Sequence, residues 1–366
     1  MHLEQFDARG DDEHVRACHE IYRAAAGVDD PQTPPMSARC FAGWMALGWS
    51  EDPSQAWLAS NSAGQAIGWY VLTLPQRENR HLARVSPMVR CDLRRAGLGG
   101  RLVRHAAERA HDQGRRFLSA NTRQGGPGDG FARALGARQG FIDVRRLLRV
   151  DELPAEHLAS LRERAGKAAP GYTLTWWEGA VPADTVDAVA AINDHAGDMP
   201  RDAAHESQRW DAERVRQSSR RVAAQGLRLY TVAAWCQATG EMAGMTQLGV
   251  DPAYPSWGFQ ELTVVARPHR GHRLGLGVKV AMLDLLAERE PQLTSIITGN
   301  SDDNKHMIAI NEALGFAVLD RWLFFEVEVA RVLALPAAPV SARSGRTGRN
   351  GETATERHVI EPMGNG

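Results

Sequence analysis

Cysteine is scarce in this 366-residue chain, with four in all, and no two stand as a CxxC pair. That spacing argues against a zinc site or a disulfide framework, so the expected setting is a reducing cytoplasm. No apolar run approaches the roughly 18 residues that a membrane helix requires, and the polar start MHLEQFDARGDDEH does not read as a signal peptide. An excess of one charge is also missing. Lys and Arg number 43 against 44 Asp and Glu, for a net charge of -1, which gives no global case for nucleic acid or an acidic membrane as partner. Neither a Walker A loop nor a complete G-x-G-x-x-G fingerprint occurs: where the third glycine would stand, there are Leu102 and Val280.

What the chain does contain is a long internal repeat. Arg94-Arg95-Ala96-Gly97-Leu98-Gly99 recurs 178 residues later as His272-Arg273-Leu274-Gly275-Leu276-Gly277. Phe117–Asn121 matches Ile296–Asn300, and Leu135-Gly136 matches Leu314-Gly315, both at an offset of 179. A period this long indicates two copies of a whole domain. The expected division is 1–150, a linker with a short helix at 151–170, a second domain at 171–332, and a tail at 336–366. The tail is poor in large apolar residues and is expected to be disordered.

Within each copy the pattern predicts an opening helix (12–25 and 184–196) and a hairpin (56–74 and 229–250). A strand then runs into a Gly-rich loop, at Leu82–Met88 and at Leu262–Ala266. The helices that follow carry buried stripes, Leu102, Val103, Ala106 and Ala110 in one copy and Val278, Met282, Leu285 and Leu286 in the other. A short strand, another helix and a final strand pair are expected to close each copy. Trp176 and Trp177 read as core.

A strand, Gly-rich loop and helix in succession aim free backbone N–H groups at one point with the positive end of a helix dipole behind them, an arrangement that binds phosphate. His269, Arg270, His272 and Arg273 would add cations around the second loop.

The pattern Arg/Gln-x-x-Gly-x-Gly/Ala after a strand resembles the acyl-CoA pyrophosphate loop of the GNAT N-acetyltransferase superfamily. The stretch from Asn300 through Asn304, Asn311 and Leu314 to Gly315-Phe316 is similar to that family's later signature. The resemblance covers roughly 1–150 and 171–330, and the two-copy arrangement is similar to tandem GNAT proteins such as mycothiol synthase. It implies an α+β fold of two tandem GNAT-like domains, each a mixed, mainly antiparallel sheet flanked by helices. It implies acetyl-CoA as acyl-donor substrate; the sequence itself offers no metal site, so no metal is expected.

From the resemblance, Arg94, Gly97 and Gly99 in copy one, and Val264, Val265, Arg270, His272, Arg273, Leu274, Gly275, Leu276, Gly277, Asn300 and Asn304 in copy two, are the expected coenzyme contacts. Asn300 and Asn304 could instead cap the following helix. Glu261 is the expected general base, with Ala83 at its place in copy one, and the Val265 N–H is the expected polariser of the thioester carbonyl. Many relatives carry a Tyr acid where Asn311 stands. Asp198, Glu206 and Trp210 are placed on the acceptor side. Gly125–Gly130 is a poor helix start, so copy one reads as degenerate for catalysis. The expected function is acetyl transfer to a small-molecule amine in a ternary complex, in copy two. The alternatives are an acyl-CoA-binding sensor or scaffold, and a protein or peptide N-acetyltransferase.

Overall fold

A computed structural model describes residues 1–48, 52–198 and 205–336, with only the backbone given at 197 and 198. The tail at 337–366 and the Asp198 side chain lie outside the described residues. Among those described, no helix is long and apolar enough to cross a membrane.

Copy one runs β1 (His2–Phe6), α1 (Asp12–Asp29), α2 (Ala38–Leu47), β2 (Ser54–Ser60), β3 (Ala66–Thr73), β4 (Leu82–Val89), α3 (Leu98–Asp112), β5 (Phe117–Arg123), α4 (Pro127–Ala134) and β6 (Arg138–Arg149). The helix α5 (Ala155–Ala168) follows. Copy two repeats the order as β7 (Tyr172–Glu178), α6 (Val186–Asp194), α7 (Ala212–Gln225), β8 (Arg228–Cys236), β9 (Met242–Val250), β10 (Trp257–Val265), α8 (Leu274–Arg289), β11 (Ser295–Ser301), α9 (Lys305–Ala313) and β12 (Ala317–Glu328), then α10 (Val329–Ala334).

Local chemistry places several of these boundaries. Asp11, Ser37 and Asp211 each accept a hydrogen bond from the backbone N–H three residues on, capping α1, α2 and α7. In the β2–β3 turn the Asn61 side chain accepts from the Ala63 and Gln65 N–H groups while Gly64 takes φ 77°. The helix expected after β5 forms despite its Gly- and Pro-rich start. Pro127 sits in its first turn, where its missing N–H costs nothing, and Asp129 accepts from the Gly125 N–H.

All twelve strands form one sheet, in the order β1-β2-β3-β4-β5-β12-β6-β11-β10-β9-β8-β7. The order reads the same from either end once the copies are interchanged, so a local two-fold passes between β12 and β6. Neither copy ends in a strand pair of its own, as the sequence suggested. Each ends in a single twelve-residue strand delivered to the other copy: β6 pairs with β11, and β12 pairs with β5. The helices after these strands follow the exchange. Leu161 and Ala165 of α5 enter the core of copy two beside Val278 and Met282, and Val329 and Val332 of α10 enter the core of copy one beside Leu102 and Val103. The segment read as a linker is thus mostly a packed helix. It also explains why α8 is apolar nearly all round, since the sheet covers one side and α5 covers another.

The copies meet again on the other face of the sheet, where α2 packs on α7. Gly43 is required there, because a Cβ would stand 2.6 Å from the Ala224 carbonyl carbon and the Gln225 nitrogen. Trp177 is half-buried against the copy-two core. Trp176, expected in the core, is 45% exposed on the edge strand β7, with Arg289 over its ring at 4.7 Å. Alternation along a strand that pairs on one side only turns one of two successive tryptophans outward.

Candidate active site

Each copy opens a gap between two parallel strands. β4 and β5 pair only over Leu82–Arg84, and β10 and β11 only over Trp257–Gln260. Beyond those points β4 and β10 run on to Val89 and Val265. The Ala266 N–H donates to the Ala243 carbonyl at 2.9 Å. Because successive N–H groups of a strand point to opposite sides, the Val265 N–H is turned away from β9 and toward the gap. In copy one the Arg90 N–H donates to Ile67 at 3.1 Å, which turns the Val89 N–H the same way.

The loops after these strands share one backbone. Each makes a 3-10 turn (Cys91–Leu93 and Arg267–His269), and an arginine Nε then approaches the carbonyl of the strand's last residue: Arg94 to Val89 at 3.4 Å, Arg270 to Val265 at 3.3 Å. Two left-handed residues follow, Arg95 (φ 65°) and Gly97 (φ 81°) in copy one, Gly271 (φ 88°) and Arg273 (φ 55°) in copy two. Leu98 and Leu274 then open the helices. The structural repeat at the loop is therefore 176 residues and not 178. Arg94 corresponds to Arg270, Gly97 to Arg273 and Gly99 to Gly275. Sequence matching slid by two because glycine fills the second left-handed position in copy one and the first in copy two.

This register decides where the expected coenzyme residues stand. Leu274, Gly275 and Leu276 occupy the first turn of α8, where N–H groups have no intrahelical acceptor. The Gly277 N–H is bonded to Arg273 O at 3.0 Å and belongs to the helix. A Cβ on Gly275 would meet Ile310 Cδ1 at 3.0 Å, so glycine is needed for close approach to α9. Arg273 is exposed at the helix start, in a conformation costing about 1 kcal/mol for a residue with a Cβ. His269, read as a loop cation, is turned inward, with Nδ1 3.0 Å from the Tyr172 hydroxyl, while His272 lies exposed near the Tyr172 ring. Val264 is buried against β9. In copy one the Arg94 guanidinium is held by Asp29 at 2.7 and 2.8 Å, and Gly99 faces Phe131. Both loops thus retain the backbone that fits a pyrophosphate, copy one with a glycine before the helix and copy two with a cation there.

Downstream, Asn304 caps α9, its side chain accepting from the Met307 N–H at 3.3 Å. Asn300 accepts from Asn311 Nδ2 at 2.6 Å, and Asn311 Oδ1 accepts from Lys279 Nζ at 2.8 Å. Lys279 is 3% exposed, and burial pushes its ammonium down to about 7. Its partner Asn311 was singled out in the sequence, but Lys279 was not. A lysine amid the apolar residues of α8 was the available signal.

Glu261 does not begin its strand. β10 starts at Trp257, and Glu261 sits in mid-strand at a β-bulge, where Glu261 and Leu262 together oppose Gln247. The bulge inserts a residue that β4 lacks, so no single residue matches Glu261. The neighbouring positions in copy one are Val85 and Ser86, not Ala83, and neither is a carboxylate. A bulge re-aims a side chain. Here Glu261 lines a cavity of about 230 Å³ with Trp210, Asn193, Arg221, Gln247 and Leu262. It makes no hydrogen bond with any described residue. The residue is exposed on the cavity side, and the protein packed around its carboxyl raises its pKa by desolvation, opposed by the Arg221 charge. Glu261 in turn helps hold the buried Cys40 thiol on α2 up at about 12, behind burial and Asp251, which places the first copy's helix close to the second copy's site.

The other residues expected on the acceptor side separate. Trp210 lines the cavity, under the Arg214 guanidinium. Glu206 is turned to copy one, its Oε2 accepting from the Asn79 N–H at 2.9 Å.

The profile of the acetyltransferase (GNAT) family matches residues 15–136, within copy one. No curated protein matches the chain. Among solved structures, the chain is similar to a tandem GNAT protein from the clavulanic acid biosynthesis pathway. The two are 28% identical, with 90% of this chain and 98% of that one covered and a TM-score of 0.74. A GCN5-related N-acetyltransferase from Sphaerobacter thermophilus shares the fold at 16% identity, covering 90% and 95% of the two chains with a TM-score of 0.61. A putative acetyltransferase from Pyrococcus horikoshii does so at 12% identity, covering 89% of each with a TM-score of 0.52.

Proposed function

We propose, from the premise that the chain is a tandem GNAT-superfamily N-acetyltransferase using an acyl-CoA donor, that copy two transfers the acetyl group directly to a small-molecule amine. The observation that carries this reading is Glu261, a carboxylate without a hydrogen-bond partner among the described residues, aimed by a bulge into a cavity of about 230 Å³ beside the gap between β10 and β11. Copy one has neither the bulge nor the carboxylate. The 28% identity to a clavulanic acid pathway protein supports a small acceptor.

In the proposed reaction the amine nitrogen bonds to the acyl carbon and the carbon–sulfur bond breaks. The amine proton passes to Glu261, whose raised pKa brings it nearer the working pH of a general base. The Val265 N–H faces the carbonyl oxygen as negative charge grows on it. Coenzyme A leaves as thiolate and is protonated from solvent. With a thiol pKa near ~8.5 this needs no side-chain acid, in keeping with Asn311 at the position where relatives carry Tyr. The Leu274–Leu276 N–H groups, Arg270 and Arg273 would hold the pyrophosphate.

Thiol release from acetyl-CoA over an amine panel tests the reading. Glu261→Gln should lower turnover roughly 10²- to 10³-fold with acetyl-CoA binding retained. Unchanged turnover would overturn the assignment. The intact loop of copy one, with Gly97 and the family match at 15–136, favours a second donor site. Calorimetry with acetyl-CoA should then count two sites per chain, and a single site removed by Gly99→Asp would move donor binding to copy one alone.

A further inference from the structure

A line of polar side chains runs through the packing behind the copy-two gap. Lys279 of α8 is 3% exposed, and Asn311 of α9 is fully buried. Lys279 Nζ donates to Asn311 Oδ1 at 2.8 Å, and Asn311 Nδ2 donates to Asn300 Oδ1 on β11 at 2.6 Å. Among the described residues the lysine meets no carboxylate, and the Phe316 ring lies 5.4 Å from its Nζ. The direction of this line is forced. A charged lysine has three donors and no acceptor, so the Asn311 oxygen must face it. The Asn311 NH2 then faces Asn300, whose oxygen must accept. That leaves the Asn300 NH2 over, and it donates to no described residue. Thr298 is the last residue of β11 paired with β10, so Asn300, half-buried, stands on the open stretch of the gap.

Copy one has no such line. Leu82 pairs with Phe117 as Trp257 pairs with Ser295, so Thr122 takes the place of Asn300, while Val103 and Ala132 take those of Lys279 and Asn311. Val103 is as buried as Lys279, at 3% exposed, so packing alone at this helix position is served by an apolar side chain. Burying an amine there carries a desolvation cost that packing does not require.

We infer that Lys279 is a positioning residue for the acyl donor. It sets the direction of the Asn311 and Asn300 amides, so that Asn300 presents N–H groups to the amide carbonyls of the coenzyme's pantetheine arm. This rests on copy two holding the donor along its gap. An Asn300 amide free to turn would offer its oxygen as readily as its nitrogen, and an oxygen there would repel a carbonyl.

Calorimetry with acetyl-CoA and with ADP, which has the pyrophosphate but no arm, tests this. Every protein in the series carries Gly99→Asp, so that the copy-two loop alone is titrated. Asn311→Asp keeps a partner for the lysine but can no longer donate, so Asn300 must turn its NH2 inward and its oxygen to the gap. Acetyl-CoA should then bind about 10-fold more weakly, the worth of a hydrogen bond left unmade, with ADP binding unchanged. Lys279→Met should weaken acetyl-CoA in the same selective way. Should that variant not fold, Asn311→Asp decides. Acetyl-CoA affinity unchanged in Asn311→Asp would overturn the inference, as would an equal loss for ADP, which would make the line merely structural. If Gly99→Asp alone abolishes acetyl-CoA binding, copy two is not the donor site and the inference falls with that reading.

Discussion

At the scale of single residues, the groups on which the proposed chemistry rests are held at a cost to the fold. A carboxylate with a raised pKa is one whose ionised form the folded state disfavours. The folded protein therefore binds its proton more tightly than the unfolded chain, and stability falls as pH rises from the ordinary glutamate range through the raised value. Glu261→Gln should thus raise Tm at neutral pH while turnover collapses, and wild-type activity should fall as pH drops through the same raised value. A lower Tm in the variant would show that Glu261 is structural. Lys279 has the opposite sign. Its folded value of about 7 lies below its ordinary 10.5, so the unfolded chain binds the proton more tightly and stability rises with pH between the two. Lys279→Met should flatten that rise in a Tm series from pH 7 to 10. At neutral pH it also leaves Asn311 Oδ1 without its donor, so the slope is the quantity to read. Arg273→Gly should relieve the left-handed strain and raise stability by up to about 1 kcal/mol, while weakening acetyl-CoA binding by removing a cation.

At the scale of elements, helix contacts between the copies shape the site. Gly43 lets α2 settle on the end of α7, the helix that presents Arg221 to the cavity. Gly43→Val should cost roughly 1–3 kcal/mol by overpacking. It should also raise KM for the acceptor more than for acetyl-CoA, since α7 must shift. Equal effects on both substrates would separate α2 from the acceptor site. Leu161 on α5 is 1% exposed, and Leu161→Ala should cost roughly 2–5 kcal/mol in chemical unfolding. An effect below 1 kcal/mol would return that segment to the status of a tether.

The whole molecule is tied together by its exchanged strands. With β12 between β5 and β6, and β6 against β11, each sheet is completed by the other copy. The chain should therefore unfold in one transition. Fragments cut between Val150 and Leu153 should be unstable when made separately and should reassemble when made together. Two fragments that each fold alone with the Tm of the intact protein would contradict this. The reason is burial: cutting strands out of mid-sheet exposes a ladder of backbone groups and apolar faces on both sides.

Much of this was legible along the chain. The repeat, the hairpins, the buried helix stripes and the strand–loop–helix unit follow from local periodicity and glycine placement, which neighbours in sequence decide. The family resemblance was carried by the same local motifs. Three matters lay beyond that reach. The loop register depended on which of two left-handed positions held the glycine, a backbone property that the letters Gly-Leu-Gly misplaced by two. The aim of Glu261 depended on a bulge, visible only against the partner strand with its opposing Gln247. The exchange of β6 and β12 left no trace in either copy, because a strand's sequence records that it will be buried on both edges and not whose edges those are. Local propensity and pattern thus determined the elements and the two-fold plan, whereas long-range pairing decided which copy completes which, and what Glu261 and Arg221 face across the cavity.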